Sequence, residues 1–438
     1  MQDNPTTIYA LATPPGKSGV AIIRISGPAA PTCIRELGIT QPLPPRHASR
    51  VTLHTPQGTI LDEALGLYFK APHSFTGEDV IELHIHGSHA IVKAVLEALS
   101  KNQSLRVAEA GEFSKRAFLN GKLDLAQAEG LADLIDAQTT AQHSQAMRQF
   151  AGQNSQLFEE LRQSVLHPLA LLEAYIDFPD EEIPPSVLAD VNARIMALKA
   201  NLCDMLDDHH IGEKIRSGIE IVILGAPNAG KSSLLNTLAR RDVAIVSEIA
   251  GTTRDMIEVH LDINGYPVTL IDTAGLRDTQ DFIEKEGVLR AKHRARTAEL
   301  KLLLIDSVTP TELHHHFIGE NDKNTLIIYT KNDLAKAPEY ALSISTKTGA
   351  GIDALIDAIK NYILNEMSAT PSPLITRTRH REALQRALDA LNRFSSDTPL
   401  ELQCEELRIA SHAVGKITGK IDVEDVLDLV FSTFCIGK

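Results

Sequence analysis

One run of eight residues restricts the fold of this chain more than any other: Gly225-Ala226-Pro227-Asn228-Ala229-Gly230-Lys231-Ser232. It fits the spacing G-x-x-x-x-G-K-[ST], which has physical meaning only between a strand and a helix. An apolar run at 219–224 precedes it, and Ser233-Leu234-Leu235-Asn236 opens a helical stretch after it. Backbone N–H groups of such a loop cradle phosphates, here along Asn228, Ala229, Gly230, Lys231, Ser232 and Ser233. Lys231 reaches the terminal phosphates and Ser232 ligates magnesium. Gly16-Lys17-Ser18 also reads G-K-S, but Leu11 stands where the first glycine is needed. No strand-loop-helix pattern surrounds it, so it is a decoy.

The rest of the chain organises around that loop. A length of 438 residues suggests two to four domains. From about residue 216, strand, loop and helix patterns repeat, with apolar runs at 219–224, 268–271, 302–305, 326–329 and 342–344. This alternation predicts a mostly parallel sheet covered by helices. It ends near 363, before linker chemistry at 368–373. Residues 1–120 read as a small α+β domain, with strand candidates at 20–25, 65–69 and 80–86 and a helix from about 88 to 100.

From Leu123 the apolar residues, including Ala126, Leu131, Leu134 and Ile135, recur at helical spacing. Long helices are expected through 175, with a break or kink at Pro168. A loop at 177–185 and another helix at about 187–209 follow. At the other end, Val423, Val426, Leu427, Val430, Phe431 and Phe434 form an apolar stripe, with Asp422 as N-cap. Each helical set alone makes only a small core. The expected fold is therefore multidomain α+β and α/β. An N-terminal α+β domain (1–120) precedes a helical domain (121–215 plus 371–438), and a P-loop domain (216–370) is inserted within the helical one.

Composition narrows the class. Lys plus Arg total 43 against 57 Asp plus Glu, a net charge of −14. Bulk counterion release therefore does not hold this chain on nucleic acid, and RNA contact must be local or assisted by a partner. Cys33, Cys203, Cys404 and Cys435 lie too far apart for metal-ligand spacing and imply no disulfide framework. No basic leader or long apolar span is visible, so a cytoplasmic, reducing location with no membrane contact is expected.

Three more motifs follow strands in order. Asp272-Thr273-Ala274-Gly275 follows 268–271, where a carboxylate can hold the magnesium shell and a glycine N–H can meet a γ-phosphate. Thr330-Lys331-Asn332-Asp333 follows 326–329. The Asp333 carboxylate accepts both guanine N–H donors, a pair that adenine does not offer. Ser345-Thr346-Lys347 closes the series. The nucleotide is therefore GTP. The series resembles translation-factor-class GTPases, with Gly251-Thr252-Thr253-Arg254-Asp255 as switch I. Two departures stand out. Thr330 replaces the usual Asn and is expected to weaken a supporting contact, and Thr346 replaces the usual Ala. Leu276 cannot orient water, so hydrolysis needs another device.

Further segments resemble the MnmE (TrmE) family of tRNA-modification GTPases, of the TrmE-Era type. They are Ala12-Thr13-Pro14-Pro15-Gly16, Arg24-Ile25-Ser26-Gly27, Ser74-Phe75-Thr76-Gly77-Glu78-Asp79, Gly111-Glu112-Phe113-Ser114, Leu119-Asn120-Gly121-Lys122-Leu123-Asp124, Asp177-Phe178-Pro179-Asp180-Glu181-Glu182 and Cys435-Ile436-Gly437-Lys438. The resemblance runs the whole chain. It implies GTP hydrolysis with magnesium and potassium. The product is a carboxymethylaminomethyl-type group at C5 of the wobble uridine of certain tRNAs, made with a flavin-dependent MnmG-type partner. It also implies a homodimer formed through an N-terminal domain that binds a 5-formyl-tetrahydrofolate-type one-carbon donor.

By the same resemblance, Arg24, Glu82, Lys122 and Lys438 hold the folate. Ser247, Glu248, Ile249, Ala250, Gly251, Thr252 and Thr253 line the nucleotide. Asn228, Ser247, Ile249 and Thr252 take potassium, Thr253 joins Ser232 on magnesium, and Glu284 positions water. The competing function is a ribosome-assembly GTPase switch, which should carry a basic RNA-binding domain that this sequence lacks. Arg254 and Arg277 invite a reading as in-cis arginine fingers, but switch-loop arginines commonly face solvent, and His314-His315-His316 is a solvated tract. Cys435 sits fourth from the end, but the prenylation box fails at Gly437 and Lys438. It lines the folate pocket, acts as a nucleophile or is a small buried hydrophobe. The cluster Arg377, Arg379, His380 and Arg381 is a solvated face or a tRNA phosphate contact.

Overall fold

A computed structural model describes residues 6–55, 57–177, 184–241, 243–245, 258–272, 298–309, 324–367, 374–421, 427 and 430–438. The chain divides into two compact units. One is Met1–Ala132 with Gln149–Gln163 and Ser411–Lys438; the other is Asp133–Arg148 with Ser164–Ala410.

The first unit carries six strands: β1 (Thr7–Leu11), β2 (Ser18–Ser26), β3 (Ser49–His54), β4 (Ile60–Phe69), β5 (Val80–Gly87) and β6 (Leu105–Val107). Their order is β3-β4-β5-β2-β1-β6. The β1–β6 pair is parallel and the other neighbours are antiparallel. Alternation sorts the two faces. Ile23, Ile25, Ile81, Leu83 and Ile85 point into the core with Val95 and Leu99 of a helix, while Arg24, Glu82 and His84 lie on the other face. The short helix α1 (Ala30–Cys33) follows β2, and that packing helix is α2 (His89–Leu99), whose N-cap Ser88 accepts from the Ile91 N–H at 3.1 Å.

Helices α3 (Glu112–Leu119) and α4 (Leu125–Asp136) come next. Asp124 and Gln127 cap α4 reciprocally, each side chain accepting from the other's N–H at 2.7 and 3.0 Å. Leu125 and Ala128 pack with Leu427, Val430, Phe431 and Phe434, so the C-terminal apolar stripe does meet the first long helix. Asp422, Val423 and Val426 lie outside the described residues.

Four more helices follow: α5 (Thr140–Phe150), α6 (Gln153–Asp177), α7 (Pro185–Leu206) and α8 (Ile211–Ser217). The expected break at Pro168 is absent, because α6 runs through it. Pro168 costs one backbone hydrogen bond. The buried stripe Leu161, Val165, Leu169 and Leu172 continues on both sides and offsets that loss.

The second sheet contains β7 (Ile219–Gly225), β8 (Glu258–Ile263), β9 (Tyr266–Asp272), β10 (Leu300–Asp306) and β11 (Thr325–Thr330), in the order β11-β10-β7-β9-β8. All pairs are parallel except β8–β9. Ile221, Val222, Ile223 and Leu224 are all buried, as a central parallel strand covered on both faces requires. Helices α9 (Lys231–Ala239) and α10 (Ile352–Met367) belong to this layer. The run 342–344, expected as a strand, contributes only a bridge from Ser343 to Tyr329. Strand β8 was not expected; its residues alternate EVHLDI at the sheet edge, without a continuous apolar run.

Helices α11 (Thr378–Arg393) and α12 (Leu400–Thr418) follow. The Arg381 guanidinium binds Asp208 at 2.6 Å, Glu213 at 3.0 Å and the Leu206 carbonyl at 2.9 Å. The mixed sheet is thus inserted between helical segments whose entry and exit are tied together.

Candidate functional site

Three parallel strands end at the same edge of the second sheet, where ligands of open α/β sheets bind. β7 ends at Gly225, β9 at Asp272 and β11 at Thr330. At Gly225, φ is +148°, and a Cβ would sit 2.6 Å from the Leu304 carbonyl oxygen, so only glycine fits. Asn228 (φ +66°) and Gly230 (φ +97°) complete a loop of left-handed residues that turns its N–H groups inward.

Lys231 is buried at the start of α9, and its ammonium donates to the carbonyls of Gly225 and Ala226 at 2.8 and 3.0 Å. Burial lowers its pKa, and the nearby Asp272 carboxylate works against that shift. The Ser232 hydroxyl donates to Asp272 at 2.8 Å, so the two magnesium-side oxygens predicted from separate motifs converge.

The guanine-side motif is joined to this loop. Thr330, 2% exposed, donates to the Ala229 carbonyl at 2.8 Å and lies 3.3 Å from the Ile305 carbonyl. Thr330, standing where Asn is usual, thus still makes a supporting contact to the phosphate loop. Lys331 pairs with Asp306 at 2.6 Å. Burial pushes the Asp306 carboxyl up, but hydrogen bonds from Lys331 and the Val308 N–H outweigh it and hold it low. Ser345 donates its hydroxyl to Asp333 at 2.7 Å, orienting a carboxylate that is otherwise exposed. The Asn332 N–H donates to the Ile344 carbonyl at 3.2 Å, which locks this motif to the last one. Thr346 is half-buried and Lys347 exposed beside Ser345. Neither Asp306 nor the Thr330–Ala229 bond was anticipated; only strand register could reveal them.

Ser247, Glu248, Ile249, Ala250, Gly251, Thr252, Thr253, Thr273, Ala274, Gly275 and Glu284 lie outside the described residues. So do Arg254, Leu276, Arg277 and His314 to His316.

The first unit holds a second polar cluster. Arg24 and Glu82 face each other across β2 and β5 and pair at 2.9 Å. The Arg24 guanidinium lies 5.7 Å from the ring centroids of both Phe75 and Phe113, a cation–π arrangement. It also donates to the Gly437 carbonyl at 3.3 Å. The C-terminal tail is held on the sheet: Ile436 bridges Ala110, and a Cβ at Gly437 would collide with the Leu11 carbonyl. Arg24, Glu82 and the tail before Lys438 are thus brought together. Lys122 is exposed beside Gly77 and shares no hydrogen bond or ion pair with the other three among the described residues. Cys435 is exposed, so its reading as a buried hydrophobe is withdrawn.

The basic cluster is also corrected. Arg377 pairs with Asp133 at 2.7 Å, His380 is buried and Arg381 is taken by Asp208 and Glu213. The Arg377 and Arg381 guanidiniums are thus engaged by carboxylates within the fold, and Arg379 is half-buried.

Comparison with known proteins covers both units. The family described as the GTP-binding protein TrmE N-terminus matches residues 7–122, and the MnmE helical domain family matches 125–435. The tRNA modification GTPase MnmE of Rhodospirillum rubrum is 48% identical over 452 residues, covering 99% of each chain. That of Paramagnetospirillum magneticum is 47% identical over 440 residues, again covering 99% of each. That of Parvibaculum lavamentivorans is 48% identical over 438 residues, 99% of this chain and 100% of that one. With matches that span its whole length, this chain belongs to the MnmE family of tRNA modification GTPases.

Proposed function

We propose that the chain binds and hydrolyses GTP at the strand-end site and uses that cycle in modifying C5 of the wobble uridine of certain tRNAs. The group added is of carboxymethylaminomethyl type, and a flavin-dependent MnmG-type protein is the partner. The observation that carries the nucleotide reading is the Ser345–Asp333 bond of 2.7 Å on one side and the Ser232–Asp272 bond of 2.8 Å on the other. One presents an oriented carboxylate to a base with two N–H donors. The other presents an all-oxygen donor pair, which suits magnesium.

Ser232, with Thr253, would hold that magnesium, and Asn228, Ser247, Ile249 and Thr252 would hold potassium. The cations supply positive charge where phosphate negative charge develops. Lys231 orients the phosphates, Asp333 selects guanine and Glu284 orients the attacking water. Arg24, Glu82, Lys122 and Lys438 would hold a 5-formyl-tetrahydrofolate-type donor. The pair Arg24–Glu82, flanked by Phe75 and Phe113, suits a flat heteroaromatic ring with polar edges.

The three-part layout, with boundaries at 1–120, 121–215 plus 371–438 and 216–370, belongs to the same reading, as do a homodimer through the N-terminal domain and a cytoplasmic location. Among the described residues no helix is long and apolar enough to cross a membrane. The test is mass spectrometry of wobble nucleosides from cells lacking the protein. Loss of the C5 modification is expected; an unchanged nucleoside profile overturns the function.

A further inference from the structure

The helix α5 touches the far ends of the two strands that carry the phosphate chemistry. Strand β7 ends at the phosphate loop and β9 ends at Asp272. Their opposite ends lie about 20 Å away, at some 3.3 Å per residue. There the Gln145 side chain donates to the Gly212 carbonyl at 2.9 Å, and Gln142 donates to the Arg216 carbonyl at 3.1 Å. Both acceptors are on α8, immediately before β7. The Ala141 N–H donates to the carbonyl of Gly265, in the turn between β8 and β9, at 3.0 Å. That bond satisfies one of the orphan donors at the start of α5.

The turn is rigid. Asn264 (φ +56°) and Gly265 (φ +86°) are both left-handed, and the Gly265 N–H donates to Asp262 at 2.6 Å. There is no slack against the helix either, because a Cβ at Gly265 would collide with the Thr140 hydroxyl. In sequence, β8 begins three residues after the Gly251–Asp255 motif, and β9 leads directly into Asp272. The hairpin is therefore the covalent bridge between the two nucleotide motifs, with its tip seated on α5.

We propose that this joint, Ala141 and Thr140 on α5 against Gly265 on the hairpin, passes the nucleotide state of the P-loop domain to α5. The inference rests on the GTP reading above. Motion of the β8–β9 hairpin relative to β7 changes the spacing of the two places where α5 is anchored. The anchor of α5 on α8, in contrast to the tight contact at Gly265, has room for a second arrangement. A cavity of about 140 Å³ opens beside it, lined by Asp133, Asp136, Gln142, Gln145, Ala146 and Arg216. Gln145 is 5% exposed, and its buried amide oxygen has no hydrogen-bond partner among the described residues. That acceptor is available to a donor in the alternative state, and the anchors are hydrogen bonds that exchange without loss of apolar burial.

The test is amide hydrogen exchange over 140–148 in the full-length protein with GDP and with a non-hydrolysable GTP analogue. Wild type, Ala141→Pro and Gly265→Ala are compared. Ala141→Pro removes the donor within the first helical turn, where proline is tolerated. Gly265→Ala fills the contact from the other side. Calorimetry first establishes that each protein binds nucleotide; failure of wild type to bind overturns the GTP reading, not the joint alone. Given binding, wild type should show at least a several-fold nucleotide-dependent difference in exchange over 140–148. Both variants should lose it, with nucleotide affinity within about twofold of wild type. A wild type without the difference, or an Ala141→Pro protein that keeps it, overturns the joint.

Discussion

The Thr330 hydroxyl reaches 2.8 Å to the Ala229 carbonyl, so the guanine-side motif and the phosphate loop form one hydrogen-bonded unit. Replacing Thr330 with valine keeps the shape and removes the donor. A buried carbonyl left short of a partner costs about 1–3 kcal/mol. Thr330→Val should therefore weaken GTP binding roughly tenfold, equivalent to about 1.4 kcal/mol. Thr330→Ser should bind almost as wild type does. Calorimetric titration with GTP checks both, and an undiminished affinity in the valine variant removes the bond from the account.

The proposed guanine specificity rests on Asp333. Asp333→Asn should move preference from GTP toward xanthosine triphosphate, because the amide supplies a donor where the carboxylate only accepts. Ser345→Ala should lower GTP affinity a few-fold without changing the preferred base, since it only frees the carboxylate to rotate. Competition binding with the two nucleotides separates these effects. Unchanged GTP affinity in Asp333→Asn would sink the assignment.

A pH effect follows from Glu112, which receives Arg106 at 2.5 and 2.7 Å and Arg116 at 2.9 Å. Burial pushes this carboxyl up, but the hydrogen bonds from Arg106, the Glu109 N–H and Arg116 outweigh it, and its pKa is lowered overall. A carboxyl lowered in the folded state contributes stability above its unfolded pKa of about 4.3, and that stability is lost as pH falls through the folded value. Thermal melts from pH 7 to pH 3 should show wild type losing more stability below about pH 4 than Glu112→Gln does. The variant should start lower at pH 7, by on the order of 1 kcal/mol, because the partly exposed Arg106 loses its counter-charge while Arg116 keeps Glu78. Parallel pH curves would exclude the role.

The phosphate loop, Asp272 and the 330–333 motif were legible in sequence because each follows a strand that an apolar run marks, whereas Ser345 follows only a bridge at Ser343. Strands β1, β3, β6 and β8 were missed, and of these only β1, TIYAL, carries an apolar run. Strand β3 reads SRVTLH and β8 reads EVHLDI, and both lie at sheet edges, where one-sided burial needs few apolar residues. No break occurs at Pro168, because its local cost is outweighed by burial along α6, a tertiary effect. Arg377 and Arg381 misled for the same reason. Their partners Asp133 and Asp208 are more than 170 residues earlier, and nothing local distinguishes a paired arginine from a solvated one.

At the second cluster the C-terminal tail is testable without touching nucleotide chemistry. Gly437 has φ +98°, and its Cα faces the Leu11 carbonyl with no space for a side chain. Gly437→Ala should lift the tail from the sheet and free the Arg24 guanidinium from the Gly437 carbonyl. Formyl-tetrahydrofolate binding should fall at least tenfold by calorimetry, as it should on deleting 435–438. GTP hydrolysis should stay within about twofold of wild type, because these residues and the phosphate loop lie in different compact units. Full folate affinity in both variants would refute the tail's role.

Hydrolysis lacks a glutamine after Gly275, where Leu276 stands. Leucine cannot hydrogen-bond water, so the charge and orientation needed must come from elsewhere. Asn228 has a left-handed backbone in the phosphate loop and an exposed side chain, and its amide oxygen is the ligand we propose for a monovalent cation. A fixed positive charge there acts where negative charge develops and water is excluded. Potassium and ammonium, close in size, should support turnover, and sodium should support it poorly. Asn228→Gly isolates the amide, because glycine keeps the left-handed backbone at little cost; this variant should lose the preference for potassium. Glu284→Ala should lower turnover on the order of a hundredfold while GTP affinity stays unchanged, as expected for a group that only positions water. Steady-state hydrolysis in matched potassium and sodium buffers decides both points. Equal wild-type rates in the two salts remove the cation from the mechanism, and a fully active Glu284→Ala removes the glutamate.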